Sequence, residues 1–517
     1  MTVAVIDFGA KFTHNPVAVI DFGAQYTQLI ARRIREQNVY SEIFPPDVKA
    51  NELEHAKAII LSGSRSGVYE TEAPQLDSDI LNLGVPVLGI CYGLQAIVHN
   101  AGGRIIRGTG EYGNADIYAE KNSPLFDSLI DYISGAQVWM SHADEIVSLP
   151  DTFEVIARSS NNVIAAVKHK EKPIYGVQFH PEVVHSLIGN DIFKNFLFKV
   201  ANCKKDWISK YIIEDAIKSI REQVGEAEVV TAISGGVDSA VVGTLLHKAI
   251  GDQSKCIFIE NGLLRKNEGN KIMDALKHLG LHVERHHFAQ NFWSVLRGIT
   301  DPEVKRKTIG REFIRCFEKV AGDAKFLAQG TLYPDVIESG TSTAATIKSH
   351  HNVGGLPDDM DFTLIEPVRN LFKDEVRLLG KELGLPDTVL NRKPFPGPGL
   401  AVRILGEVTH ERLKILREAD EIFLNILEKT KEWEEIWQAF AVLIPNKTVG
   451  VMGDARTYEN IIALRAVSSE DGMTADWCDL SYEILSECST KIINKVNGVN
   501  RVVCDITSKP PGTIEWE

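Results

Sequence analysis

Ser234-Gly235-Gly236-Val237-Asp238-Ser239 is the stretch from which the rest of the chain can be read. Val229-Val230-Thr231-Ala232-Ile233 precedes it, an apolar run suited to a buried strand. Ala240 to Leu246 follows and reads as the start of a helix. A strand, a glycine turn and a helix N-terminus together make an anion site. The glycines allow close backbone approach, the first helical N–H groups lack partners, and the helix dipole favours negative charge. The two serine hydroxyls add donors, and Asp238 is placed to hold a magnesium ion beside bound phosphates. No Gly-Lys-Ser/Thr follows, so this is not a Walker loop. A bare Ser-Gly-Gly would fit an ordinary βα turn equally well; the full six-residue string at a strand–helix junction is far more specific.

Working outward, 517 residues correspond to about three domains. An apolar content of 44% and a charged content of 24% describe an ordinary globular protein. A net charge of −14 argues against a dedicated nucleic-acid binder, which would show a basic face. The seven cysteines include no CxxC pair, which excludes zinc-ribbon and thioredoxin readings. Their odd number and wide scatter suggest reduced thiols in the cytoplasm. No apolar run approaches the ~18 residues that span a membrane, and no signal peptide is expected.

Upstream, Val3 to Ala10 recurs unchanged at Val17 to Ala24. The second copy continues into a plausible helix, Gln25 to Arg33, so it is read as the first true strand and residues 1–15 as a dispensable arm. Ala58 to Leu61 and Val85 to Ile90 are short apolar runs suited to buried parallel strands. The latter ends in Gly89-Ile90-Cys91-Tyr92-Gly93, the pattern of a nucleophile elbow with cysteine as nucleophile. The sharp turn requires small flanking residues, and the helix N-terminus favours the thiolate. A cysteine nucleophile needs a base, and the base needs an orienting partner. Phe179-His180-Pro181-Glu182 supplies both two residues apart, on one side of an extended segment. Taken singly, such a cysteine or histidine is more often structural; the combination reverses the balance.

Downstream, Lys255 to Glu260 reads as a second strand of the Ser234 sheet, and its end lies near any bound nucleotide. Phe326 to Asp335 is a further strand and turn, followed by a polar run through Lys348-Ser349-His350-His351, read as a lid or a plain surface loop. Pro394-Phe395-Pro396-Gly397-Pro398-Gly399 marks a rigid crossing between domains. Strand-like Thr448 to Met452 and Arg501 to Ile506 flank a helical stretch, Ser481 to Val496, which suggests a small α+β module. The expected fold is therefore α/β, with two doubly wound parallel-sheet domains and a small α+β C-terminal domain. The boundaries fall at 1–15, 16–203, 204–400 and 401–517.

Residues 234–239 resemble the PP-loop of ATP pyrophosphatases. Residues 17–201 resemble class I glutamine amidotransferase domains, in which Cys91 matches the nucleophile, His180 the base and Glu182 the third triad member. The resemblance puts the oxyanion hole at Ser64 and Tyr92. Here Ser62-Gly63-Ser64-Arg65 stands where that family has SGGP, and a serine tolerates positive φ poorly. With Ile347–Gly355, Pro394–Val408, Asp471–Trp477 and Lys509–Glu517, residues 17–517 resemble glutamine-hydrolysing GMP synthetases.

That resemblance implies XMP, ATP and glutamine as substrates, Mg2+ with the ATP, and a homodimer formed through the C-terminal domain. It implies that ATP and pyrophosphate bind at Ser234, Gly235, Gly236, Val237, Asp238 and Ser239, with Asp238 on the metal. It puts Asp335, Glu338, Lys348, His350 and His351 in a lid, and Arg306, Gln438, Lys509, Thr513, Ile514 and Glu515 around XMP. Glu260 replaces a usual Asp, and Lys393 a usual His. Rival readings are another PP-loop amidotransferase, such as one that makes NAD, a tRNA-thiolating PP-loop protein, and a binding or regulatory protein whose glutaminase is dead, which Ser64 and Arg65 motivate. The first would lack the Lys509–Glu517 match, and the second would show a basic face.

Overall fold

The computed structural model describes residues 15–129, 135–322, 324–340, 362–469 and 474–517, without the side chains of 338–340 and 452. The first copy of the duplicated segment lies outside the described residues. The chain forms two compact units that divide after Ile212.

In the first unit β1 (Val17–Ile20) leads to α1 (Thr27–Glu36), then β2 (Ser41–Phe44), β3 (Ala58–Leu61), β4 (Val87–Ile90) and α2 (Tyr92–Asn100). β1, β3 and β4 are buried at every position, as their unbroken apolar sequences require of strands covered on both faces. β5 (Arg104–Ala119), β6 (Ala136–Ser148), β7 (Phe153–Ser159), β8 (Ile164–His169) and β9 (Ile174–Val177) precede the short α3 (Gly189–Lys194). The sheet order is β2-β1-β3-β4-β9-β8-β7-β5-β6. β2 through β9 along that order pair in parallel, the doubly wound part. The remaining strands pair antiparallel and extend the sheet. The elbow and the His180 segment follow β4 and β9, which are neighbours, so the sheet itself brings them together.

α4 (Ser209–Val224) spans the division, and the second unit continues with β10 (Val229–Ala232), α5 (Val237–Ile250), β11 (Ser254–Glu260), α6 (Glu268–Lys277), β12 (Val283–His287), α7 (Ala289–Leu296) and α8 (Pro302–Ala321). Then come β13 (Phe326–Ala328), α9 (Tyr333–Gly340), β14 (Thr363–Ile365), α10 (Lys373–Glu382) and α11 (Asp387–Leu390). The sheet is parallel throughout, in the order β12-β11-β10-β13-β14. The strand order reverses at β10, and residues 234–239 leave its carboxyl end, where open α/β sheets bind ligands. The C-terminal part follows with α12 (His410–Leu427), the long hairpin β15 (Gln438–Met452) and β16 (Ala455–Ser468), β17 (Asp476–Trp477), α13 (Tyr482–Lys495) and β18 (Val499–Cys504).

One hydrophobic core runs through both parts of this unit. It includes Val230, Ile257, Phe292 and Leu327 from the parallel sheet and its helices, with Leu400, Leu416, Phe423, Leu464 and Ile492 from beyond the proline-rich crossing. No helix among the described residues is long and apolar enough to cross a membrane.

Candidate functional sites

Cys91 stands between β4 and α2 with φ +52° and ψ −106°, a conformation that side chains other than glycine rarely adopt. Its N–H donates to the Val177 carbonyl at 2.8 Å, which ties the elbow to β9. The flanking glycines are sterically required. A Cβ at Gly89 would lie 2.5 Å from the Leu94 nitrogen, and one at Gly93 would lie 2.4 Å from the Leu61 carbonyl oxygen. Cys91 is buried, and so are His180 and Glu182.

His180 Nδ1 and Glu182 Oε1 are 2.7 Å apart, and the His180 backbone is fixed by its N–H donating to the Trp139 carbonyl. The imidazole also interacts with the Cys91 thiol. Burial works against a charged ring, but the Glu182 carboxylate and the hydrogen bond that the ring donates to the Cys91 sulfur outweigh it, and they hold His180 well above the ordinary imidazole value. The three residues read from sequence thus converge as a nucleophile, a base and an orienting acid.

The Tyr92 side chain turns away into the core, where its hydroxyl donates to the Pro74 carbonyl. Burial, with the Glu70 carboxylate, pushes that phenol up to about 12. Only the Tyr92 backbone N–H, in the first turn of α2, is therefore available to an oxyanion. Ser64 is not among the described residues with positive φ, so the serine at this position introduces no backbone strain. Its hydroxyl accepts from the Ser66 N–H at 3.3 Å.

The second site is the turn after β10. Gly235 has φ +79°, and a Cβ there would meet Ile272 at 2.4 Å and Arg392 at 2.5 Å. The Gly236 N–H donates to Ser234 Oγ at 3.3 Å, and Ser239 Oγ donates to the Gly236 carbonyl at 3.1 Å. Val237 opens α5 and is buried. Two cations that the sequence reading missed come in from distant parts of the chain. Lys373, the first residue of α10, pairs with Asp238 Oδ2 at 2.5 Å. Arg392 donates to the Gly235 carbonyl and pairs with Glu268. Asp238 Oδ1 is buried without a hydrogen-bond partner among the described residues. A magnesium ion that keeps waters and phosphate oxygens needs only one or two carboxylates, and an unpartnered carboxylate oxygen beside an anion cradle fits that requirement.

Glu260, at the end of β11, pairs with Arg285 of β12 at 2.7 Å. Lys393 donates to the carbonyls of Trp433 and Ile436 and lies over the Trp433 ring. Asp335 accepts from the Leu332 N–H at 3.0 Å at the start of α9. The side chain of Glu338, and the whole of Lys348, His350 and His351, lie outside the described residues.

The residues expected around XMP are only partly assembled. Gln438 donates to Glu515 at 2.7 Å, and Glu515 is held by Arg403 through two bonds of 2.8 and 3.0 Å. Arg465 binds the backbone carbonyls of Thr513 and Ile514 at 2.9 and 2.8 Å. Gln438, Thr513, Ile514 and Glu515 are thus brought together by two buried arginines absent from the sequence reading. Arg306 donates to the carbonyl oxygen of Glu517. Lys509 is bridged to Ala475 through the backbone.

An elbow cysteine with its histidine and glutamate, and a glycine loop at the switch point of a second parallel sheet, define a class: a glutamine amidotransferase joined to a nucleotide-activating PP-loop domain. Family models agree, matching glutamine amidotransferase class-I over residues 18–200, NAD synthase over 210–301 and the GMP synthase C terminal domain over 425–516. The chain belongs to the glutamine-hydrolysing GMP synthase family. It is 54% identical to the GMP synthase (glutamine-hydrolyzing) of Chlorobium chlorochromatii, with all of both chains covered. It is 52% identical to that of Clostridium novyi, over 100% of this chain and 99% of the other. Among solved structures, a putative GMP synthase subunit from Thermoplasma acidophilum is 32% identical, covering 37% of this chain and 96% of that one at a TM-score of 0.32.

Proposed function

We propose that this protein makes GMP from XMP, ATP and glutamine. The observation that carries the reading is the presence, in one chain, of the Cys91–His180–Glu182 triad and the Ser234–Ser239 anion cradle, in a family of GMP synthases. In the first unit the Cys91 sulfur attacks the glutamine carboxamide carbon. The developing oxyanion is met by backbone N–H groups at Ser64 and Tyr92. His180, held as imidazolium by Glu182, gives its proton to the departing nitrogen, and ammonia leaves. Water then attacks the thioester with His180 as base, releasing glutamate and the thiolate.

In the second unit the XMP C2 oxygen attacks the α-phosphorus of ATP. Pyrophosphate departs into the Ser234–Ser239 turn, where Lys373 and the α5 N-terminus balance its charge. Asp238 would hold magnesium there, which supplies further charge neutralisation on the phosphates. Ammonia adds at the adenylated C2 and AMP leaves. Gln438 and the Thr513–Glu515 segment, with Arg306 and Lys509, are assigned to XMP.

We place the protein in the cytoplasm as a homodimer. The seven cysteines are all unpaired, as a reducing compartment requires. Val449, Val451, Tyr458 and Val503 expose apolar surface on the C-terminal sheet.

The test supplies XMP, ATP and magnesium with either glutamine or ammonium and follows GMP, AMP and pyrophosphate. GMP is expected from both nitrogen sources. No GMP with ammonium overturns the reading, and NAD formation from a deamido precursor would favour the NAD-making alternative that the match over residues 210–301 raises.

A further inference from the structure

The sulfur of Cys91 has a polar neighbour outside the triad. The parallel pairing of β4 with β9 sets Gly89 beside Gly176 and Ile90 beside Val177, which carries Cys91 opposite Gln178. Gln178 is 1% exposed, and its Nε2 lies 3.6 Å from Cys91 Sγ. Its Oε1 accepts from Gln95 Nε2 at 3.3 Å, and the same Gln95 amino group donates to the Asp144 carbonyl at 3.4 Å. A backbone carbonyl can only accept. It therefore fixes the NH2 end of Gln95 at this junction, which turns Oε1 of Gln178 towards Gln95 and the NH2 of Gln178 towards the sulfur. The direction of each hydrogen bond follows from the one before it.

The chemistry of a buried sulfur makes such a donor useful. The Cys91 thiol is also placed to donate to the Ser141 carbonyl at 3.8 Å. A buried thiolate without donors would be costly. His180 supplies one donor but gives its proton away during turnover. An amide keeps its protons throughout, so it can serve the sulfur both when the thiolate attacks and when it is released from the thioester. Among the described residues, His180 interacts with the sulfur and Glu182 holds His180. The Asp144 carboxylate is engaged by the Tyr69 hydroxyl at 2.8 Å.

We propose that Gln178 is a further catalytic residue of the glutamine site, donating to the Cys91 sulfur and holding it in line for the carboxamide carbon, with Gln95 as the residue that positions the Gln178 amide. The inference rests on the glutaminase reading given above.

The test uses the full-length protein with Gln178→Met, which keeps the shape and removes the donor, Gln178→Glu, which places a carboxylate against the sulfur, and Gln95→Met. Three quantities are measured: kcat and KM for glutamine, the pH dependence of Cys91 alkylation by iodoacetamide, and ammonia-dependent GMP formation. Gln178→Met should lower the glutamine kcat on the order of 10- to 100-fold, with KM changed by no more than about twofold. Its alkylation profile should move to higher pH by about one unit. Gln178→Glu should move it further, and Gln95→Met should move it in the same direction by less. Ammonia-dependent synthesis reports on folding and should persist. An unchanged alkylation profile and kcat in both Gln178 variants would overturn the proposal, as would an equal loss of ammonia-dependent synthesis, which would mark a folding role. If the unsubstituted protein does not turn over glutamine, the glutaminase reading falls. If it does and the Gln178 variants match it, only the present proposal falls.

Discussion

At the residue scale, Cys91 shows how a strained conformation is held in place. A non-glycine residue in a sparsely populated backbone region costs about 1–3 kcal/mol. The surroundings enforce it here, because Gly89 and Gly93 pack against backbone with no room for a side chain. That requirement was legible as the Gly-x-Cys-x-Gly pattern, and the His180–Glu182 pair as a two-residue spacing on an extended segment. Gln178 was not legible, since a glutamine at the end of a strand has no signature until the neighbouring strand is placed. The charge state of His180 carries a prediction. Glu182→Gln removes the carboxylate that offsets burial, so the glutamine-dependent kcat should fall roughly 10²–10⁴-fold. His180 is raised above its ordinary value near 6.5 in the folded protein. The stabilisation from its charged form is therefore fully present below about 6.5 and is lost as pH rises through the folded value. Thermal midpoints measured between about pH 6 and about pH 10 should fall more steeply for the unsubstituted protein than for Glu182→Gln. Parallel declines would show that Glu182 is not what raises His180.

At the element scale, local signals were read well and long-range ones were not. The strand, turn and helix around Ser234 lie within a few residues, and each was legible from its own sequence. Lys373 reaches Asp238 only because α10 packs against α5, and no fixed spacing announces such a partner. The C-terminal hairpin gives a second case. Sequence marked only Thr448 to Met452 as a strand, whereas β15 begins at Gln438. Pro445 and Asn446 lie inside the strand, which continues through them with a register shift between Ile444 and Thr448, the usual way for a strand to accommodate proline. The Lys373–Asp238 pair predicts a phenotype for α10. Lys373→Met should lower pyrophosphate release from ATP and XMP at least about tenfold, whether glutamine or ammonium is supplied, because charge stabilisation of the leaving phosphates is lost. A defect seen only with glutamine would separate Lys373 from the nucleotide site.

At the scale of the whole molecule, the order of the domains was legible because the identifying strings are long and spread along the chain. The substrate pocket was less so. Gln438 meets Glu515 directly, and Glu515 is itself held by Arg403, which sequence alone did not single out. The exposed C-terminal apolar residues bear on assembly. Val451 is 76% exposed, and if the C-terminal sheet is the dimer surface, Val451→Asp should shift the protein towards monomer by light scattering while leaving the thermal midpoint within a few degrees. An unchanged dimer would move the interface elsewhere. The two units carry different halves of the chemistry, and this sets the most discriminating comparison. Cys91→Ala removes the nucleophile, so glutamine-dependent GMP formation should vanish while ammonium still supports synthesis at close to the full rate. Asp238→Ala removes the carboxylate whose Oδ2 pairs with Lys373 and whose Oδ1 is buried without a hydrogen-bond partner among the described residues. It should abolish pyrophosphate release with either nitrogen source. The two defects should not mix if, as proposed, the triad acts on a carboxamide and the Ser234 turn on a triphosphate. If Cys91→Ala loses synthesis from glutamine and ammonium alike, or if Asp238→Ala still releases pyrophosphate, the assignment of ammonia production to one unit and nucleotide activation to the other is wrong.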